Sequence, residues 1–172
     1  MNIGIIGSGG REHSICFKIK QSAKVKKLYC IPGNAGTSNI CENINIDFNN
    51  FNKLHKAVIE KEIELLIIGP EVPLVEGITD FFERKNIKVF GPSKEASKLE
   101  GSKAFMKKFC RDFGIPSARY KEIKNIEEAK KVIKEFNLPI VVKSDGLAAG
   151  KGVAICQSKD EALKEIKEIL DG

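Results

Sequence analysis

The sequence predicts an α/β protein: a parallel, doubly wound sheet over the first half, followed by a smaller α+β unit. Up to Pro92 short apolar runs alternate with amphipathic stretches, and glycine-rich turns follow several of those runs directly. After Gly91-Pro92 the pattern changes. Strand–helix alternation with short connections implies parallel strands whose carboxyl ends face a ligand.

Taken in order, strands are expected near Asn2 to Ile6, Lys27 to Ile31, Asn43 to Ile46, Glu64 to Ile68 and Lys88 to Phe90. Between them, helices are expected from about Arg11 to Gln21, from Asn52 to Lys61 with Leu54, Ala57 and Val58 on one face, and from Leu74 to Lys85. Beyond Pro92, Ser102 to Phe113 sets Phe105, Met106, Phe109, Cys110 and Phe113 on one helix face, and Gly114-Ile115-Pro116 supplies the stop. A β-α-β-loop-β-α pattern follows. Its helices begin at Asn125, with Glu128 three residues on, and at Ser158, with Glu161 three residues on, both in capping-box spacing. The last helix is expected to bury Ala162, Leu163, Ile166, Ile169 and Leu170.

A chain of 172 residues, 42% hydrophobic and 30% charged, is long enough for one large or two small domains with real cores. The formal charge of +6 is spread along it: residues 1 to 92 hold 12 basic and 10 acidic side chains, the rest 17 and 13. No basic patch emerges, most lysines alternate with glutamates on helices, and nucleic acid is not an expected partner. Cys16, Cys30, Cys41, Cys110 and Cys156 are odd in number and lack a CxxC pair or neighbouring histidines, as reduced core residues would. The first strand follows Met1 without a charged leader, and no apolar segment is long enough to span a bilayer, so a cytoplasmic protein without a membrane partner is expected.

Gly7-Ser8-Gly9-Gly10-Arg11-Glu12-His13 lies directly after the first strand and opens the first helix, where backbone N–H groups and the positive helix end could receive a phosphate. It departs from GxGxxG, because Glu12 stands in place of the third glycine. No acidic residue ends the second strand either, and Ile31-Pro32-Gly33-Asn34 sits where a dehydrogenase would hold its ribose. NAD is therefore disfavoured. Two further loops, Pro32-Gly33-Asn34-Ala35-Gly36-Thr37 and Gly69-Pro70-Glu71-Val72-Pro73-Leu74, leave strand ends toward the same crevice, and Glu71 between two prolines is a rigidly presented acceptor for sugar hydroxyls. Each loop alone is equally an ordinary turn. His13 is expected to pack near the helix start and His55 to lie on the surface.

The stretch from Ile140 to Ile155 is a lysine-bearing glycine loop, Lys143-Ser144-Asp145-Gly146-Leu147-Ala148-Ala149-Gly150-Lys151-Gly152, between two apolar strands, Leu138 to Lys143 and Val153 to Cys156. A P-loop needs four residues between its glycines, then Lys-Ser/Thr, then a helix. Here three residues separate Gly146 from Gly150, Gly152 replaces the hydroxyl, and a strand follows. The loop therefore reads as a flap over nucleotide phosphates, against the plainer alternative of a long solvated hairpin turn. Lys143 shares a strand face with Val141, where a buried ammonium would require an anionic ligand or an acidic neighbour.

Together these segments resemble the amino-terminal part of phosphoribosylamine-glycine ligase, the ATP-grasp enzyme of purine biosynthesis also called glycinamide ribonucleotide synthetase. Besides the three first-half loops, the last continuing through Val75-Glu76-Gly77, the carriers are Leu99-Glu100-Gly101-Ser102-Lys103-Ala104-Phe105 and Val141 to Gly152. The resemblance implies a Rossmann-like preATP-grasp domain over residues 1–92, the helical start of the ATP-grasp core over 93–118, and the small nucleotide-covering lid subdomain of an incomplete ATP-grasp fold over 119–172. It implies ATP as cosubstrate, with Mg2+ or Mn2+ in the complete enzyme, and glycine and 5-phosphoribosylamine as substrates joined through glycyl phosphate.

By the same resemblance Lys103 and Lys143 are the catalytic lysines, and ATP is held by them with Asp145, Gly146, Leu147, Ala148, Ala149, Gly150, Lys151 and Gly152. The amine substrate falls to Gly9, Gly10, Arg11, Glu12, Gly33, Asn34, Gly36, Pro70 and Glu71. The family enzyme is more than twice as long, and its metal-binding residues, adenine-contacting strand and glycine clamp lie beyond Gly172. No metal ligand is therefore expected within this chain, the remaining ATP-grasp part becomes an expected partner in cis or in trans, and no ligase activity is expected of these residues alone. Another ATP-grasp carboxylate-amine ligase or carboxylase, and a non-catalytic nucleotide-binding module, remain alternatives.

Overall fold

The structure, a computed structural model, describes residues 1–148 and 152–172. It has two compact units, Met1–Lys98 and Leu99–Gly172.

In the first unit β1 (Asn2–Gly7), β2 (Lys27–Pro32), β3 (Glu42–Asn43), β4 (Leu65–Ile68) and β5 (Lys88–Phe90) form one sheet in the order β3-β2-β1-β4-β5, every pair parallel. Between them run α1 (Gly10–Lys20), a 3-10 turn (Thr37–Asn39), α2 (Phe51–Glu60), α3 (Glu71–Glu76) and α4 (Ile78–Glu83); α5 (Lys94–Gly101), within the stretch expected to be helical from residue 93, follows β5 and ends in the second unit. The sheet is apolar on both faces because strand residues alternate. Ile6, Tyr29, Ile31 and Leu66 meet Leu54, Val58, Ile78 and Phe82 on one side, while Ile3, Ile5, Leu28 and Cys30 meet Cys16 on the other. The connection reverses direction between β1 and β4, so the crevice at their carboxyl ends is the topological switch point.

The single helix expected from Leu74 to Lys85 is two helices. Gly77 has φ +97°, a left-handed conformation that costs other residues about 1–2 kcal/mol, and it ends α3 and starts α4. The third strand is shorter than expected. The Ile44 N–H still donates to the Cys30 carbonyl of β2 at 2.9 Å, and Ile44 and Ile46 pack half-buried on the core beyond the strand's end. His55, expected at the surface, is half-buried beside Phe81 and Phe82, with ring centroids 6.3 and 6.1 Å away. All five cysteines are thiols. The bond to Cys30 and burial push the Cys16 thiol up, which keeps it protonated and unreactive.

In the second unit α6 (Lys103–Asp112) is capped by Ser102, whose hydroxyl accepts from the Phe105 N–H at 3.1 Å. Then come α7 (Ile126–Val132), a 3-10 turn (Ile133–Glu135), an antiparallel pair of β6 (Ile140–Lys143) and β7 (Val153–Cys156), and α8 (Lys159–Asp171). The strand expected ahead of α7 is absent, and residues 115–124 follow an irregular path. Asn125 and Ser158 cap their helices as the spacing suggests, each accepting from an N–H three residues on, Glu128 and Glu161. The core joins Ile133, Ile140, Val142, Cys156 and Ala162. Ile169 and Leu170, expected on the buried face of α8, remain 40% exposed. Among the described residues no helix is long and apolar enough to cross a membrane.

Candidate functional site

At the switch point, parallel register sets Gly7 beside Pro32 and Ile6 beside Ile68, so the loops after β1, β2 and β4 leave one edge of the sheet side by side. The β1 loop is organised by Glu12. Its side chain is 5% exposed, and its Oε2 accepts the Gly9 N–H at 2.6 Å, holding the loop in the geometry that opens α1. The carboxylate lies against Gly7, whose φ is +126°, and against Gly69 of the β4 loop; a Cβ at either glycine would collide with it. Glu12, which the resemblance assigns to the amine substrate, therefore turns under the loop. It props the exposed Ser8, Gly9 and Gly10 backbone toward the crevice.

The β2 loop is tied to the β1 loop by Asn34. Its side-chain amide donates to the Ser8 carbonyl at 2.8 Å, and its Oδ1 accepts the Gly36 and Thr37 N–H groups at 2.8 and 2.9 Å. Thr37 and Asn43, which the sequence reading left unassigned, complete the network: the Thr37 hydroxyl donates to Asn43 Oδ1 at 2.8 Å, and Asn43 Nδ2 donates to the Asn34 carbonyl at 2.8 Å. Asn43 also closes over Gly33. Asn34 thus shapes the crevice and spends its polar atoms on backbone. The signal available beforehand was Asn followed three residues later by Thr, an Asx-type turn.

Arg11 and Glu71 supply the side-chain charge. Arg11 Nη1 donates to the Gly69 carbonyl at 2.6 Å and lies 3.8 Å from Glu71 Oε2. Both side chains are substantially exposed, so the ion pair is worth little and either group can turn to a ligand. Glu71 was read as part of a loop but is the first residue of α3, with Pro70 as its N-cap.

The second unit carries the lysines. Lys103, at the first turn of α6, donates from Nζ to the Gly146 carbonyl at 2.6 Å, so this ammonium already meets the glycine loop. Lys143 ends β6 and shares a face with Val141 as expected. That face is exposed, Val141 by 48%, whereas Ile140 and Val142 form the buried one. Lys143 is thus exposed, and burial does not force an anion onto it. At the root of the loop the Ser144 N–H donates to the Gly152 carbonyl at 3.0 Å, and Ser144 lies so close to Gly152 that no Cβ fits there. Leu147 is exposed and Ala148 half-buried. The expectations for Ala149, Gly150 and Lys151 lie outside the described residues.

Asp145 is bonded rather than open, accepting from the Ser102 hydroxyl at 2.9 Å and the Ala104 N–H at 3.2 Å. Burial pushes its carboxyl up, but bonds from the Ala104 N–H, the Ser102 hydroxyl and the Gly146 and Lys103 N–H groups outweigh that and leave it below its ordinary value. Ser102 had no assigned role, although a serine just before an amphipathic helix is an N-cap signal. Among the described residues no group of three or more His, Cys, Asp or Glu side chains could hold a metal ion.

Residues 1–100 match the N domain of phosphoribosylglycinamide synthetase, and residues 101–172 match the ATP-grasp (A) domain of the same enzyme. The chain belongs to the phosphoribosylglycinamide synthetase family. It is 47% identical over 171 residues to phosphoribosylamine–glycine ligase of Caldanaerobacter subterraneus subsp. tengcongensis, covering 99% of this chain and 40% of that protein. The crystal structure of phosphoribosylamine–glycine ligase from Thermotoga maritima superposes with a TM-score of 0.80 at 37% identity, covering 100% of this chain and 41% of that one. The biotin carboxylase domain of Hydrogenobacter thermophilus 2-oxoglutarate carboxylase shares the fold alone, with a TM-score of 0.78 at 19% identity over 99% of this chain and 40% of that one. The chain spans about two fifths of the length of the relatives it matches. Its parallel five-stranded sheet is the amino-terminal domain fold, and its hairpin with flanking helices is part of the ATP-grasp domain.

Proposed function

We propose that these residues serve the ATP-dependent ligation of glycine to 5-phosphoribosylamine, in the cytoplasm and within purine biosynthesis. The glycine carboxylate takes the γ-phosphoryl group of ATP to form glycyl phosphate and ADP. The amine then attacks the carbonyl carbon and expels phosphate, giving glycinamide ribonucleotide. Lys103 and Lys143 are the point charges that offset phosphate charge as the γ-phosphoryl group moves, and the loop after β6 covers the phosphates and excludes water. The exposed Gly9-Gly10 backbone, Arg11, Gly33, Gly36, Pro70 and Glu71 receive the phosphoribosyl end, with Glu12 and Asn34 holding the loops that do so.

The observation that carries this reading is the 2.6 Å bond from Lys103 to the Gly146 carbonyl, because it brings an ammonium onto the glycine loop with no ion pair to an acidic side chain among the described residues. Domain limits at 92 and 118, and Mg2+ or Mn2+ held by residues of the remaining ATP-grasp part, belong to the same proposal.

The test is ATP titration together with glycine-dependent ADP release. The 172-residue chain by itself is expected to bind ATP without turnover, and turnover is expected when the remaining ATP-grasp part is supplied in cis or in trans. Lys103→Met and Lys143→Met should each weaken ATP binding by about 10- to 100-fold, the effect of one lost charge-assisted hydrogen bond. Turnover with other carboxylic acids but not glycine would point to a different ATP-grasp ligase. ATP binding indifferent to both lysines would refute the site.

A further inference from the structure

We propose that Asp145 is the positioning residue for Lys103: its carboxylate clasps the amino end of α6 and so sets where the Lys103 ammonium meets the glycine loop. The proposal rests on the reading of Lys103 as a phosphate-binding group and adds a residue that acts through it without touching ATP.

No side chain of α6 is fully buried, and its apolar residues are at most half-buried. Midway along the helix the Lys107 ammonium donates to the Ser117 hydroxyl and the Ala118 carbonyl, just beyond the helix end. At its amino end the side-chain bonds converge on one residue 41 to 43 positions away in sequence. Asp145 Oδ2 accepts the Ser102 hydroxyl at 2.9 Å, and Asp145 Oδ1 accepts the Ala104 N–H at 3.2 Å. Those two donors flank Lys103 in the chain. Lys103 in turn reaches the carbonyl of Gly146, the residue after Asp145, at 2.6 Å. Backbone, carboxylate, carbonyl and ammonium thus close a ring, and removing the carboxylate opens it while leaving a lysine side chain with several rotatable bonds.

The charge fits the same role. A carboxylate at a helix amino end is favoured by the helix dipole and by the first-turn N–H groups. Each Asp145 oxygen accepts from a donor at the amino end of α6, so its negative charge is directed at that helix end. Asparagine can keep the Ala104 bond but must rearrange the one to Ser102; alanine keeps neither.

The experiment uses the full chain and has a ligand-free arm and an ATP arm. Without ATP, Asp145→Ala should raise hydrogen exchange at the Ala104 amide about tenfold, as expected for one lost bond, and should raise acylation of Lys103 by an N-hydroxysuccinimide ester. Asp145→Asn should fall between wild type and alanine. Protection within the β6–β7 pair serves as the folding control, and a variant that loses it is replaced by Asp145→Asn. Unchanged exchange at Ala104 and unchanged Lys103 acylation would overturn the proposal.

In the ATP arm, Asp145→Ala should weaken binding about tenfold, and the double variant Asp145→Ala/Lys103→Met should bind no more weakly than Lys103→Met, because the two act as one unit. Additive losses would show that Asp145 meets the nucleotide itself and would also overturn the proposal. Should Lys103→Met leave ATP affinity intact, the phosphate reading of Lys103 fails, and the clasp stands or falls on the ligand-free arm.

Discussion

Replacing Glu12 probes the crevice most directly, because one buried side chain supports both the β1 and the β4 loops. Glu12→Ala removes the charge-assisted bond from the Gly9 N–H, worth about 1.5–3 kcal/mol. It also strips out the buried Cγ methylene, about 0.8 kcal/mol more. The expected loss is therefore about 2–4 kcal/mol. Glu12→Gln keeps the methylenes and a carbonyl acceptor and gives up the charge, so about 1 kcal/mol is expected. With a urea slope of about 2 kcal/mol per molar, the alanine variant should unfold roughly 1–2 M earlier than wild type and the glutamine variant roughly 0.5 M earlier. The assay is urea unfolding followed by Tyr29 fluorescence in the first unit, with the second-unit tyrosine, Tyr120, replaced by phenylalanine in every variant. Equal midpoints for wild type and Glu12→Ala would refute the claim that this carboxylate holds the loops. A glutamine variant as weak as alanine would show that the negative charge, not the shape, is what Gly9 requires.

Two further outcomes follow from buried or bonded groups. Thr79 is 2% exposed, and its hydroxyl is the buried side-chain polar atom without a hydrogen-bond partner among the described residues. Thr79→Val, which swaps that hydroxyl for a methyl group, should stabilise the fold by about 1 kcal/mol and raise the melting temperature by about 2–4 °C; a lower melting temperature would mean the hydroxyl is satisfied. Asp145 has a folded value below its ordinary one, so its contribution is fully present above the unfolded carboxyl value of about 3.9 and is lost only as pH falls through the lower folded value. The Ala104 amide resonance should accordingly stay constant from neutral pH to about 5 and shift only in more acidic solution, whereas a midpoint near pH 6 would contradict the clasp.

The parallel sheet was legible because β1, β2 and β4 are unbroken apolar runs punctuated by Gly7, Pro32-Gly33 and Gly69-Pro70, and such runs buried on both faces have few other folds open to them. Local chemistry was legible at two helix starts, where Asn125 and Ser158 accept from N–H groups three residues ahead as their spacing suggests, whereas the equivalent caps at Asn50 and Ser102 went unread. What else escaped depends on distant partners. The inward turn of Glu12 is decided by two glycines, one 57 positions away, which make room for a carboxylate where sequence patterning expects a third glycine. Likewise Gly77 sits inside an amphipathic stretch whose period continues past it, so its left-handed backbone is invisible in composition. Lys143 was placed on the correct face of its strand, but which face is buried is set by where α8 and the 3-10 turn Ile133–Glu135 pack, information that β6 alone does not contain.

The aromatic surface of α6 illustrates how differently two properties of one helix can respond to mutation. Phe109 and Phe113 stack on each other with centroids 4.4 Å apart, and Phe113 is 69% exposed. On the proposal that Asp145 seats α6 through its first turn, the exposed Phe113 ring beyond the helix can be exchanged for a smaller or polar residue with the Lys103 end still in place. Solubility engineering at one end of the helix and the proposed phosphate contact at the other would then be separable, a freedom that a helix seated by its apolar stripe would not have.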